Sequence, residues 1–224
     1  MRLTVLMPAL NEEMSIGSTI DHIPFEKLRK MGIETDVLII DGGSTDRTVD
    51  IAIIKGAKVM NSIKGYGIQY RAGFEKAQGD IIVTADSDCS YPMEDIPDLV
   101  DALIKENLDF ITANRFGKLE KNSMSWLNLI GNRALTWVTN ILFLLNLKDS
   151  QSGMWVIKKD SLKKITLKSN GMPLSQEIKI EAFKKLNAKE IESRYGKRVG
   201  QRKLRIFGDG WDNLTSLIRK RITG

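Results

Sequence analysis

The chain has 224 residues, 42% of them hydrophobic and 28% charged, with one cysteine and one histidine. That composition suits one soluble α/β domain. Lone Cys89 excludes an internal disulfide or a cysteine metal cluster, and lone His22, in a loop before Pro24, argues against a Ser-His-Asp hydrolase. The formal charge of +6 is uneven, because residues 179–224 hold 13 basic and 5 acidic side chains. A basic carboxyl-terminal segment points to a polyanionic partner: a small phosphate, an anionic membrane surface or nucleic acid.

The first strand is predicted over Leu3–Met7, stopped by Pro8. A helix follows, capped by Asn11 or Ser15 and running to about Lys30. Asp36–Ile40 reads as the second strand and ends in Asp41-Gly42-Gly43-Ser44-Thr45-Asp46, where the glycines permit a tight turn. A helix from Ser44 or Thr45 to Lys55, a short strand over Ala57–Met60 and a helix over Ile68–Ala77 come next. The fourth strand, Ile81-Ile82-Val83, is apolar throughout, as in a strand covered on both faces.

That strand runs into Asp86-Ser87-Asp88. Residues i and i+2 of an extended chain point the same way, so two carboxylates converge beyond its carboxyl end. In an open α/β sheet ligands bind at that end. A divalent, oxygen-preferring cation, Mg²⁺ or Mn²⁺, relieves the repulsion of such a pair and takes substrate phosphates as further ligands.

Beyond it, a helix from Pro92 to about Glu106 and a fifth strand over Phe110–Ala113 lead to Asn114-Arg115-Phe116-Gly117. The stretch 124–146 is the most apolar, interrupted by Arg133, and its uncharged part is too short to span a bilayer. It reads as a buried helix pair or as a helix facing lipid. A polar turn, Asp149-Ser150-Gln151-Ser152-Gly153, precedes a strand over Met154–Lys158. A helix from Ser175 to Leu186, an edge strand over Ala188–Tyr195 and a basic loop over Tyr195–Leu204 complete the domain. A last helix over Gly210–Gly224 sets Trp211, Leu214, Leu217, Ile218 and Ile222 on one face beside Arg219, Lys220 and Arg221.

Strands alternating with helices predict an α/β fold with a mostly parallel sheet flanked by helices. No turn carries GxGxxG or GxxxxGK[ST], which disfavours a Rossmann oxidoreductase or a P-loop ATPase.

Together these motifs resemble the family-2 glycosyltransferases of the A-type nucleotide-sugar fold, and most of all the polyprenyl-phosphate (dolichol-phosphate) sugar synthases. The segment from Pro8 through Asn11 to Glu12 resembles the family's first nucleotide loop. Asp41 to Asp46, including Ser44, resembles its second, and Lys64-Gly65-Tyr66-Gly67 its third. Asp86-Ser87-Asp88 resembles its metal motif; Ser90 stands where some relatives place a metal-binding Gln. Arg115, Arg133 and the turn from Asp149 to Gly153 resemble motifs of the lipid-phosphate subgroup.

The resemblance implies an inverting transfer of a hexose or N-acetylhexosamine from a nucleoside-diphosphate sugar, such as UDP-glucose or GDP-mannose, to a polyprenyl or dolichyl monophosphate. It implies Mg²⁺ or Mn²⁺ on Asp86 and Asp88, with Ser90 as a candidate third ligand, and a nucleotide base read by Asp41. Arg115 and Arg133 would dock the acceptor phosphate, Glu177 would orient the sugar or Arg198, and Arg198 with Lys203 would bind the diphosphate. A related enzyme acting on a glycan or another lipid hydroxyl is the alternative within this fold. A non-enzymatic basic module for membrane or nucleic acid is the alternative outside it; it leaves the polar strand ends unexplained. The expected division is a catalytic domain over 1–206, with a nucleotide and metal half at 1–90 and an acceptor half at 91–206, then a membrane-facing or docking helix at 207–224. The first residues lack a signal-peptide layout and no long apolar span follows residue 195, so the expected location is the cytoplasmic face of the membrane, peripherally bound. Any membrane-embedded partner would be a separate chain, and nucleic acid is not an expected ligand.

Overall fold

A computed structural model describes residues 1–200 and 206–223. Its centre is a seven-stranded sheet, in the order β3-β2-β1-β4-β6-β5-β7. Strands β1 (Arg2–Ala9), β2 (Glu34–Asp41), β3 (Lys58–Asn61) and β4 (Ile81–Thr84) are mutually parallel, and β5 (Phe110–Leu119) pairs in parallel with the edge strand β7 (Ala188–Tyr195). Strand β6 (Trp155–Lys158) lies between β4 and β5, antiparallel to both.

Alternation along the strands fills both faces. Leu3, Val5, Ile39, Val83 and Val156 enter one core, while Leu6, Ile40, Ile82, Trp155 and Ile157 enter the other. Pro8 does not stop β1. It lies within the strand, past Leu6, the last residue paired with β4, where the ladder continues on the β2 side alone.

The helices differ from expectation for local reasons. The segment after β1 divides into α1 (Ile16–Asp21) and α2 (Phe25–Lys30), with Pro24 between them. Helix α3 (Thr48–Ile54) starts late because Asp46 accepts from the Thr48 backbone N–H and hydroxyl. Helices α4 (Tyr66–Lys76), α5 (Ile96–Lys105) and α7 (Leu174–Lys185) agree closely.

The apolar stretch is neither a helix pair nor buried. It forms one helix, α6 (Trp126–Phe143), whose outer face exposes Trp126, Ile130, Trp137 and Ile141, while Thr136, Thr139 and Phe143 are buried. The terminal helix α8 (Ile206–Thr223) packs on α6, and Leu217 joins Phe143 and Ile180 in a small third core.

Candidate active site

The carboxyl ends of β1, β2, β4 and β5 share one rim of the sheet. Because β6 runs the other way, its leading turn, Asp149 to Gly153, arrives at that same rim. Loops after β1 and β2 are pinned together there. Asn11, in the left-handed region at φ 50, accepts from the Thr45 N–H, and its own N–H donates to Ser44 Oγ. The Glu12 N–H donates to Thr48 Oγ1. Asp41 is buried and accepts from the Gly43 and Ser44 N–H groups and the Ser44 hydroxyl, so its carboxylate holds its own turn.

Asp86 and Asp88 follow β4, as expected. Asp88 is 3% exposed and accepts from the Ser90 N–H and hydroxyl. Ser90 is therefore a donor to Asp88 and is itself buried. Arg198 pairs with Asp88 Oδ2 at 2.7 Å and also with Glu12 Oε1. The loop around Arg198 is tied down by Gly196 N–H to Ser90 O and Val199 N–H to Asp88 O. Sequence reasoning put Glu12 in the nucleotide loop but did not foresee that it and Asp88 would share one arginine. Lys203 lies outside the described residues.

Asp86 accepts no hydrogen bond among the described residues. Its removal from water and the charge of Asp88 push it up to about 7, although Arg198 and Arg115 act against this. Gly153 explains how the turn comes so near: a Cβ there would meet the Tyr66 hydroxyl at 2.5 Å and Asp86 Oδ1 at 3.3 Å.

Two cavities meet at this pair. One, about 310 Å³, is lined by Pro8, Glu12, Lys64 and Gln69; the other, about 440 Å³, by Arg115, Gly131 and Leu135. Tyr66, Asp86, Asp88 and Arg198 line both. A separate cavity of about 320 Å³, beside His22 and Cys89, contains neither aspartate.

Arg115 is not a free guanidinium. It is 6% exposed and makes a paired contact with Asp149, Nε to Oδ2 at 2.7 Å and Nη2 to Oδ1 at 2.9 Å. Burial raises Asp149, but the arginine's charge and hydrogen bonds outweigh that and hold it at about 2. Buried Lys179 completes the cluster, donating to Asp149 O at 2.6 Å and Ser152 Oγ at 2.8 Å. Burial pushes Lys179 down to about 7, against the pull of Asp149. Lys179 was missed because one lysine in a helix of mixed polarity has no mark that separates it from a surface residue.

Arg133 is not the buried lone charge that its apolar setting implied. It is exposed, with its guanidinium 5.7 Å from the Phe116 ring centroid, and does not line the cleft. Glu177 also stands apart from both cavities. It is buried and accepts from the Lys168 and Ser169 N–H groups.

A sequence model described as glycosyl transferase family 2 matches residues 4–166. A low-salt glycan biosynthesis hexosyltransferase of Haloferax volcanii is 35% identical over 220 residues, covering 96% of this chain and 53% of that protein. The chain thus spans about half the length of that relative. A dolichyl-phosphate hexose transferase of the same organism is 33% identical over 210 residues, covering 93% of this chain and 89% of its own length. Among solved structures, glucosyl-3-phosphoglycerate synthase from Mycobacterium tuberculosis, crystallised with Mn²⁺, UDP and phosphoglyceric acid, superimposes with a TM-score of 0.78 at 22% identity, covering 99% of this chain and 78% of that one.

Proposed function

The chain belongs to glycosyl transferase family 2, and from that premise we propose that it transfers a hexose or N-acetylhexosamine from a nucleoside-diphosphate sugar to a polyprenyl or dolichyl monophosphate, inverting the anomeric carbon. The observation that carries this reading is the pair of cavities meeting at Asp86 and Asp88. A two-substrate transfer needs a donor chamber and an acceptor chamber that share the reacting centre. The relative named for dolichyl-phosphate hexose transfer supports the choice of acceptor.

Asp86 and Asp88 are the residues that would hold Mg²⁺ or Mn²⁺. The fit rests on their chemistry: two adjacent carboxylates, one without a hydrogen-bond donor and pushed up by its neighbour's charge, suit a hard divalent cation. Among the described residues no third acidic, His or Cys side chain completes a ligand set, so oxygens of the donor and of water would have to supply the rest. The chemistry such an ion would supply there is neutralisation of the charge growing on the departing diphosphate. Lys64 adds positive charge on the donor side, and Arg198, between Asp88 and Glu12, lines the same chamber.

Arg115 faces the second chamber with its plane fixed by Asp149. It orients an acceptor phosphate whose oxygen, already anionic near neutral pH, attacks the anomeric carbon. The new C–O bond forms as the bond to the nucleotide's β-phosphate breaks, and that electron pair leaves with the nucleoside diphosphate. No general base is required, which fits two chambers that the one histidine, His22, does not line.

The acceptor's lipid tail gives a use for the exposed apolar face of α6. No helix among the described residues is long and apolar enough to cross a membrane. Peripheral attachment to an anionic surface through α6 and α8 follows from this reading. The deciding experiment supplies labelled UDP- and GDP-sugars with polyprenyl phosphate and Mn²⁺. One lipid-linked product, lost in Asp88→Ala, is expected; transfer to soluble glycans alone would reject the lipid-phosphate acceptor.

A further inference from the structure

Helix α8 is joined to the donor chamber by a chain of contacts that begins at Lys220. Its neighbours Arg219 and Arg221 are exposed, but Lys220 turns inward. Its Nζ lies 2.7 Å from Glu181 Oε1 and 3.7 Å from Glu177 Oε1, with the lysine side chain 16% exposed and the two carboxylates 6% and 7%. The glutamates stand one turn apart on α7 and face the segment 166–170. Glu181 Oε2 accepts from the Thr166 N–H at 3.0 Å, and Glu177 Oε2 from Lys168 at 3.1 Å and Ser169 at 2.8 Å.

The same segment caps α4. Asn170 O accepts from the Gly67 and Ile68 N–H groups, two of the donors that a helix start leaves unpaired. The contact is close enough that a Cβ on Gly67 would collide with Ser169 O. Arg71, one turn further along α4, donates to Asn170 Oδ1. The capped turn carries Tyr66, with Lys64 just before it, into the chamber beside Asp86. The links from Lys220 through the glutamates to segment 166–170 are part-buried, and the Arg71–Asn170 contact lies at the surface.

We propose that Lys220 is a positioning residue for the donor: by holding α8 against Glu177 and Glu181 it fixes segment 166–170, and through Asn170 it sets the first turn of α4. Seating of the carboxyl-terminal helix, whose Lys220 is remote in sequence from the loops after β1, β2 and β3, then controls donor affinity. Glu177, expected in a catalytic role, acts here as the middle link. The nucleotide part of this inference rests on the transfer reading above; the mechanical part does not.

Two measurements on the full chain separate them. Hydrogen exchange at Lys168, Ser169, Gly67 and Ile68 should accelerate roughly ten-fold in Lys220→Met while β1 and β4 stay protected. UDP and GDP binding, measured by calorimetry with Mn²⁺, should show the preferred nucleotide weakened roughly 5- to 50-fold, with donor KM raised and acceptor KM unchanged. Lys220→Arg should restore both. Lys185→Met, which removes the other cation on Glu181, should change neither. Unchanged exchange at Gly67 and Ile68 in Lys220→Met would overturn the proposal, as would altered exchange with unaltered affinity or an equal effect from Lys185→Met. If the wild type binds neither nucleotide while exchange responds as expected, the transfer reading fails and the mechanical link stands.

Discussion

Burial and the neighbouring Asp88 raise Asp86 to about 7, so the fold opposes this residue's charge. An acid whose folded value lies above its unfolded value of about 3.9 favours folding in its protonated form. That contribution is intact below about pH 4 and is lost as pH rises through about 7. Asp86→Asn is expected to raise the melting temperature above about pH 7 in metal-free buffer, by roughly 2–4 °C per kcal/mol recovered, and to change it little near pH 4. Mn²⁺ should stabilise the wild type and not the variant; equal stabilisation of both would remove Asp86 from the ion site. Asp149 has the opposite sign. Its folded value, about 2, lies below the unfolded one, so its stabilisation is full above about pH 4 and falls away as pH drops through about 2. Asp149→Ala leaves Arg115 buried without its partner and is expected to cost about 3–5 kcal/mol in urea unfolding. A loss under about 1 kcal/mol would equal that of a surface pair and contradict this account. Arg133, exposed over Phe116, lines neither of the two cavities that meet at Asp86, so Arg133→Ala should leave both UDP or GDP affinity and acceptor use nearly unchanged in kinetics that vary each substrate. Asp86 and Asp88 were readable from spacing alone, since two carboxylates past an apolar strand converge in any register. The partners of Arg115 and Arg198 were not, because Asp149, Asp88 and Glu12 come from distant loops that only the folded sheet brings together.

Helix α6 inverts the usual assignment of polar and apolar faces. Thr136 and Thr139 are buried, their hydroxyls donating to carbonyls one turn back. Thr136 Oγ1 also accepts from the Ser150 N–H, which fastens the helix to the turn that carries Asp149. Trp137, between the two threonines, is 67% exposed. Apolar content and period therefore located the helix but not the side that is covered, since satisfied threonines can occupy an interior face. Helix α8 shows the same division: Leu217 is buried, whereas Trp211, Ile218 and Ile222 are exposed near Arg219 and Arg221. Exposed tryptophans backed by arginines form the surface an interfacial helix needs. The protein is expected to pellet with anionic liposomes at low salt and to be partly released as salt screens the arginines. Trp137→Ser should weaken that binding and change stability by less than about 0.5 kcal/mol, as for other surface substitutions. Unaltered pelleting would remove α6 from the contact.

At the scale of the molecule, alternation of strand and helix predicted the parallel sheet, and β1 to β4 follow it in order. The reversal of β6 was not visible, because a four-residue apolar strand reads the same in either direction and only its connections reveal the sense. The reversal also matters for synthesis. As the chain emerges, β1 to β4 can pair once residue 84 is made, but β4 then forms one border of that partial sheet with its second side open. Strand β5 finds no partner among the earlier strands, since its neighbours are β6 and β7. The gap closes only when Trp155–Lys158 slides between them. Ile81, Ile82 and Val83 must therefore remain unpaired on that side while some seventy further residues are translated, a template for self-association. A chain ending near residue 150 is expected to aggregate, whereas one extended through residue 195 should be soluble; fractionation of nascent chains arrested at those lengths would test it. Strand β6, from the 91–206 part of the chain, thus completes the sheet begun by the strands of 1–90. The strand that brings the turn from Asp149 to Gly153 to the rim is also the one that closes the open side of β4, so the two cavities that meet at Asp86 and Asp88 are expected to take shape together.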